Sequence, residues 1–514
     1  MWRPPGPTSA RRSLLVGLAM SAMALVTLLA WALAAAPGSA PDDNYHLSSI
    51  WCATGADEHC GDVPGDPTRM RPPNQVSGAS CFSQDSDKSA ACQNDFATDL
   101  EPGGAYQVGN WNGGQYPPLF YDTMHLFITG HLYSSVLLMR VVNSLILVGL
   151  LGLLVANMPR RLRPLAVVPI VVTAVPLGLS LMSSTNPSSW TIAGAAALWP
   201  ALYASFEARG RQRLMLLAVF LLAVLLASGS RGDGALFSIV GIGLVMIVRF
   251  RRLLANPVVL GVALVGVAVA GAFFLTSGQS TVVSSGGFGG TPEKVLPWHQ
   301  VAISNLQALP NLWVGSLGFG FMGSAGWLDT PFPALVGFSS TVVWAAVVFT
   351  SWREMFLEKV FAVSSIGAAM VVYPIVMLGL SGLFVGTGFQ PRYLLPLLIV
   401  FTGVSMLSRG VAGPRFAMFQ SVIAVGALSV AQAISLHTQI RRYVTGLDVG
   451  GLDLDRASEW WWGGPLTATT TWLLGSLAFT VLAWFLLRPA AFAVPEEPME
   501  EAALVRDGTL TAAR

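Results

Sequence analysis

The stretch LLVGLAMSAMALVTLLAWALAAA, residues 14–36, runs directly into PGSAPDDNYH, residues 37–46, and the reading of the whole chain turns on that junction. An apolar run of about 23 residues rises about 34 Å as a helix, enough to cross a hydrocarbon layer of about 30 Å. The small residues Ala34, Ala35, Ala36, Ser39 and Ala40 would suit a signal peptidase. However, the apolar core exceeds the usual 7 to 15 or so residues of a signal peptide, so a retained helix is expected. Two adjacent carboxylates, Asp42 and Asp43, then stand at the membrane surface. Desolvation and mutual repulsion raise the proton affinity of one of such a pair, which is a common way to make a catalytic acid or base. The other reading is that one of them caps a short surface helix starting near Tyr45.

Composition extends this to the whole chain. Of 514 residues 53% are hydrophobic and 11% charged, against about 25% charged in an ordinary globular domain, and mean hydropathy is +0.60. The expectation is an all-α polytopic membrane protein. A net charge of +2 argues neither for nor against a nucleic-acid partner, and with no basic run long enough to bind a phosphate backbone none is expected. All four cysteines, Cys52, Cys60, Cys81 and Cys92, lie in one polar stretch. An even number in one loop points to two disulfides in an oxidising, extracytoplasmic compartment. Of the three possible pairings, Cys52 with Cys60 and Cys81 with Cys92 is preferred. No Cys-x-x-Cys pair suggests zinc.

Further apolar runs fall at about 132–157, 164–182, 188–206, 214–228, 235–249, 257–276, 333–350, 360–381, 393–407, 416–436 and 467–487, giving about twelve spans in all. Basic clusters occupy alternate connections: Arg11 and Arg12; Arg160, Arg161 and Arg163; Arg209, Arg211 and Arg213; Arg249, Arg251 and Arg252; Arg353 and Lys359; Arg409 and Arg415; Arg488. The positive-inside rule then makes both termini cytoplasmic, in agreement with the cysteines. The expected organisation is 1–36, N-terminus and first span; 37–130, first external loop; 131–276, spans two to seven; 277–332, second external loop; 333–487, spans eight to twelve with external loops 382–392 and 437–466; and 488–514, a cytoplasmic tail, acidic from Glu496. Within the first loop, 45–53 and 119–127 read as short helices on the membrane surface.

Several groups on the outer side are chemically suggestive. Arg140, with Asn143, lies inside the second span, where a lone charge costs several kcal/mol unless paired, so it forms either a structural link between helices or a functional cation. Asn186-Pro187 reads as a hairpin turn, and Arg231-Gly232-Asp233 as a self-satisfied turn or an anion site. The second loop carries His299, read as a surface histidine, a glycine-rich stretch 318–326, and Trp327 near Asp329, either a sugar-stacking face or an interfacial anchor. Gln390-Pro391-Arg392-Tyr393 offers a guanidinium fork suited to phosphate, or a snorkelling arginine. Glu459 followed by Trp460, Trp461 and Trp462 reads mostly as an aromatic belt.

Taken in order, Pro41-Asp42-Asp43-Asn44-Tyr45-His46, Tyr116-Pro117-Pro118-Leu119, Arg140 with Asn143, Asn186-Pro187, Gly326-Trp327-Leu328-Asp329-Thr330 and Gln390-Pro391-Arg392-Tyr393-Leu394-Leu395-Pro396 resemble the bacterial membrane family catalogued as domain of unknown function 2142. That family is itself similar to glycosyltransferases of the GT-C fold. The family pattern has Asp-Glu where this chain has Asp42-Asp43, and Gly-Arg-Tyr where it has Pro391-Arg392-Tyr393; the cysteine-bearing insertion has no counterpart. The resemblance implies a GT-C-like enzyme in the bacterial plasma membrane. It would pass a sugar from a polyprenyl-phosphate donor to a cell-envelope glycan or lipid on the extracytoplasmic face, with inversion. Asp42 or Asp43 would be the general base, and Arg392, with Arg140 and Arg231 as weaker candidates, would meet the donor phosphate. His46, Tyr116, Trp327, Asp329, Gln390 and Tyr393 would bind substrate. No cofactor is expected, and a divalent metal beside the carboxylates is not favoured. A flippase for a lipid-linked glycan and an envelope glycan polymerase or ligase are the alternatives.

Overall fold

The computed structural model describes residues 7–111, 114–279 and 296–489. The tail from Glu496 and residues 280–295 of the second loop lie outside the described residues, as do the side chains of Arg11 and Arg12. The fold is helical. In chain order the helices are α1 (Pro7–Leu33), α2 (Asp43–Trp51), α3 (Asn74–Ser77), α4 (Leu119–His125), α5 (Leu132–Asn157), α6 (Pro164–Thr173), α7 (Leu177–Met182), α8 (Ser188–Ser205) and α9 (Gly210–Ser230). They continue as α10 (Gly232–Val248), α11 (Phe250–Leu254), α12 (Pro257–Thr276), α13 (Trp298–Gly315), α14 (Ala334–Ser351), α15 (Leu357–Ser381), α16 (Leu395–Ser405), α17 (Met418–Val444) and α18 (Ala468–Leu487).

Eight of these are long and apolar enough to cross a membrane: α1 over Leu14–Leu33, then α5, α9, α12, α14, α15, α17 and α18. The chain is a multi-pass membrane protein. α10 and α16 are apolar but shorter. The remaining runs among the twelve differ for local reasons. The run at 164–182 folds as α6 and α7, interrupted before Pro176, which has no N–H to offer a continuous helix. The run at 188–206 is α8, every residue of which is buried, so it serves as an interior post whose Ser, Trp and Pro content lowers its hydropathy. A helix also appears where a loop was expected: α13 lies on α15, with Trp298 set over Gly379, where an added Cβ would come within 2.7 Å of the indole nitrogen.

Small residues let the interior helices approach closely, as is usual where apolar burial alone does not distinguish protein from lipid. A Cβ at Gly194 of α8 would meet the Ala223 carbonyl of α9 at 2.5 Å, and one at Gly475 of α18 would meet Ala30 of α1 at 2.4 Å.

The cysteine-bearing segment folds over one end of the bundle. Both preferred pairings form, Cys52–Cys60 and Cys81–Cys92, beside a short antiparallel pair of strands, β1 (Gly61–Asp62) and β2 (Met70–Arg71). The two short helices expected in this segment form as α2 and α4, but the apolar side of α2, Leu47, Ile50 and Trp51, is buried in protein and does not lie on a membrane surface. Arg442, at the end of α17, holds the second disulfide loop down by donating to the carbonyls of Phe82, at 2.8 Å, and Lys88. Trp460 differs from an aromatic belt: it is 2% exposed, in a small core with Ala36, Phe82, Ala90 and Tyr443. Its neighbour Trp462 donates its indole N–H to Leu33 O at 2.8 Å, closing the end of α1. These two rings are structural because the capping segment gives them protein rather than lipid to pack on.

Candidate functional site

The turn between α1 and α2 is held from three sides. Asn186 donates to Pro41 O at 2.9 Å. Arg140, fully inside α5, donates to the carbonyls of Ala32 (2.7 Å), Ala35 and Ala36 (2.9 Å). These are carbonyls left without partners at and just beyond the end of α1. Trp327 donates its indole N–H to Gly38 O at 2.9 Å. Asn143, beneath Asn186, donates to Ser184 O at 2.8 Å and accepts from Trp190 at 2.9 Å. The hairpin turn of the sequence reading is thus a bracket for the carboxylates.

That bracket turns the two carboxylates in different directions. Asp43 is fully buried and accepts from Ala40 N at 2.9 Å and from the Thr185 hydroxyl at 3.4 Å. Burial pushes its pKa up to about 7, although Arg140, the Ala40 N–H and Thr185 pull the other way. Asp42 takes a left-handed backbone conformation (φ 61°), which aspartate tolerates better than most residues, and its side chain caps nothing on α2. Its carboxylate instead reaches Arg392 Nη2 at 2.5 Å, with 45% of its side chain still open. Desolvation raises its pKa, but the charges of Arg392 and Arg231 and the direct bond more than offset this and hold it below the ordinary value.

Arg392 is the unusual member. Its side chain is 3% exposed, yet it bonds only through Nη2, to Asp42 and to the Tyr393 hydroxyl at 3.0 Å. Nε and Nη1 are buried with no hydrogen-bond partner among the described residues. Leaving such donors unmade is costly, and a water, an ion or a ligand oxygen would each meet them. Arg231 stands close by, bidentate to Asp233 at 2.8 and 2.9 Å. Its guanidinium and that of Arg392 each lie 5.0 Å from the Tyr393 ring centroid, and Arg231 lies 5.4 Å from that of Tyr116. Burial pushes the Tyr116 phenol up to about 12 against the pull of Arg231, so it remains neutral.

His46 is fully buried, its Nδ1 2.8 Å from the Tyr121 hydroxyl and its Nε2 without a partner among the described residues. Burial pushes its pKa down to about 3, which leaves a neutral ring 5.3 Å from Tyr116. Gln390 also leaves its buried Oε1 unpaired among the described residues.

The structure therefore brings together Asp42, Arg392, Arg231, Tyr393, Tyr116 and His46. Trp327 and Asp329 belong elsewhere. Asp329 accepts from Arg442 at 3.0 Å, Gln84 N at 2.9 Å, the Thr330 hydroxyl at 3.1 Å and Trp327 N at 3.3 Å, and so has no free face for a sugar. Arg140 is committed to the end of α1. His299 is exposed on α13. Sequence reasoning missed Thr185, Asn110 and Tyr121. Asn110 ties Tyr45 to Tyr116, accepting from the Tyr45 hydroxyl at 3.1 Å and donating to Tyr116 O at 2.7 Å.

Fold and site together define a multi-pass membrane protein with a buried, cation-rich polar site at one end of its bundle. The family model described as "Predicted membrane protein (DUF2142)" matches residues 25–401, and the chain belongs to that family. No curated protein matches the chain.

Proposed function

We propose that this protein is a GT-C-type glycosyltransferase that takes a sugar from a polyprenyl-phosphate donor and passes it, with inversion, to a cell-envelope glycan or lipid. The observation that carries this reading is the pair of unmet donors on buried Arg392, beside an accessible Asp42 and a second guanidinium, Arg231. A phosphate diester offers oxygens for Nε and Nη1, and the Tyr393 and Tyr116 rings give apolar surface beside it.

In this reading Asp42 is the base, because a base must reach the acceptor hydroxyl and Asp43 is fully buried. In the free protein Asp42 is held by Arg392; an arriving phosphate takes over part of that guanidinium and frees the carboxylate. The acceptor oxygen then attacks the anomeric carbon as its proton passes to Asp42. The bond from that carbon to the phosphate oxygen breaks, and the charge growing on the phosphate is met by Arg392 and Arg231. Asp43, Asn186 and Arg140 position the turn.

The two disulfides and the arginine-rich turns at the other end of the bundle support an extracytoplasmic site with both termini in the cytoplasm. Transfer of radiolabelled sugar from a panel of polyprenyl-phosphate donors, in membranes holding wild type or Asp42→Asn at equal expression, tests the reading. Transfer by wild type that the variant loses supports it. No transfer from any donor, with movement of such lipids between leaflets instead, rejects it in favour of a flippase.

A further inference from the structure

At the opposite end of the bundle, α1, α5, α6, α7 and α18 leave an apolar groove of about 630 Å³ between them. It runs along α1 from Leu14 to Leu28, about 21 Å at a helical rise, which exceeds the roughly 15 Å that one leaflet contributes to the hydrocarbon core. Its charged lining, Arg160 and Arg163, stands at one end, while the hydroxyls of Ser21 and Thr27 lie along α1. The three arginines of this connection divide. Arg161 is paired with Glu207 at 2.6 Å and donates to the carbonyls of Arg409 and Gly410. Arg160 and Arg163 form no ion pair among the described residues; Arg163 spends only its Nε, on Met158 O at 3.2 Å. Burial and the neighbouring Arg160 charge hold the Arg163 guanidinium below its ordinary pKa, a repulsion that an anion between them would relieve.

We infer that this groove is a binding site for an anionic membrane phospholipid, its phosphate on Arg160 and Arg163 and one acyl chain along α1 and α5. The two ends of the site demand different things of one molecule: a negative head at the membrane boundary and a chain as long as a leaflet is deep. A zwitterionic lipid brings the same phosphate but also a quaternary ammonium that the two arginines repel, so a head of net negative charge is favoured. This site is separate from the Asp42–Arg392 pocket and does not depend on how that pocket functions. Its head end is formed by the connection from α5 to α6, whereas the pocket is formed by the turns before α2, α10 and α16.

The test is titration of the delipidated full-length protein with phosphatidylglycerol and, separately, phosphatidylcholine of the same chains, read by native mass spectrometry. Wild type is expected to retain one phosphatidylglycerol at least tenfold more tightly than phosphatidylcholine. Arg160→Ala with Arg163→Ala removes that preference. Gly152→Phe, at a position on α5 where an added Cβ meets only the Ser21 hydroxyl oxygen at 3.9 Å, weakens both lipids by blocking the chain. Arg211→Ala, on an exposed arginine outside the groove, leaves retention unchanged; a melting measurement on each variant checks folding. Equal retention of the two lipids by wild type, retention untouched by both groove variants, or a protein dimer that occupies the groove and is not displaced by lipid would each overturn the inference.

Discussion

Two arginine–aspartate pairs lie at the same end of the bundle, and their difference is what singles one of them out as the candidate site. Arg442 and Asp329 meet at 3.0 Å with side chains 0% and 7% exposed, and Asp329 accepts four hydrogen bonds. Arg442 also closes the second disulfide loop through Phe82 O and Lys88 O. Arg392 and Asp42 meet at 2.5 Å, but the carboxylate is 45% exposed and the guanidinium holds two donors unspent among the described residues. Arg442 spends both terminal nitrogens and leaves only Nε unmet among the described residues, against a closed carboxylate, and such a pair fastens a fold. A pair that keeps capacity in reserve, next to an opening, is arranged for a ligand.

The comparison breaks most readily at Arg442. Arg442→Ala leaves Asp329 buried without its cation, and loss of one partner of a buried pair costs about 3–5 kcal/mol. The expected result is a large fall in melting temperature or failure to accumulate in membranes, whereas Arg392→Ala accumulates normally. Next comes Asp42→Asn, expected to lower sugar transfer about 100-fold or more, the range for loss of a general base, with little change in melting. Unchanged transfer would move the base elsewhere.

A smaller effect separates Asp43 from His46 through pH. The Asp43 value of about 7 lies above its ordinary 3.8, so the folded chain keeps a proton that the unfolded chain releases. Its contribution therefore falls as pH rises from about 4 to about 7. The His46 value of about 3 lies below its ordinary 6.5, so its contribution is lost as pH falls from about 6.5 toward 3. The two oppose each other across about pH 4 to 6.5, each at about 1.4 kcal/mol per tenfold change in proton affinity. Relative to wild type, Asp43→Asn is expected to gain melting temperature with rising pH across that window and His46→Gln to lose it. Parallel profiles would contradict both assignments. The smallest effect is at Trp327: Trp327→Phe removes one of the two donors to Gly38 O, the Ser80 hydroxyl at 3.0 Å remaining, and costs about 1 kcal/mol of stability or less. Sugar transfer should not change, since the ring is a fastening and not a platform.

Much of this was legible in the chain. The apolar junction at residues 14–46 placed the carboxylates, the cysteine cluster pointed to both disulfides, and the segments around Tyr45 and Leu119 read as short helices, though without showing that the apolar side of the first is buried in protein. Arg392 beside Tyr393 stands out because its guanidinium offers a planar fork of donors suited to phosphate oxygens at a span mouth. What sequence could not supply was direction. Asp42 and Asp43 are neighbours of the same chemistry, and only the bracket made by Pro41, Asn186 and Thr185, across more than 140 residues, turns one outward and the other inward. Arg140 and Arg392 look alike as lone cations, yet one spends both terminal nitrogens on carbonyls at the end of α1 and the other leaves Nη1 as well as Nε unmet among the described residues. Arg442 carries no distinguishing signal in the chain: a basic residue at the end of an apolar helix has the same pattern whether it meets lipid headgroups or pairs with Asp329, 113 residues away. Helix α13 was missed because its polar residues dilute the apolar face with which it meets α15.

The central claim is that the Asp42–Arg392 pocket receives a lipid-linked phosphate, and binding tests it without any assumption about sugar or acceptor. The dissociation constant of a polyprenyl phosphate would be measured for wild type and Arg392→Ala in nanodiscs of neutral lipid, with melting temperature checked in parallel. The account predicts at least tenfold weaker binding by the variant at unchanged melting temperature. Equal binding by the two proteins would contradict it.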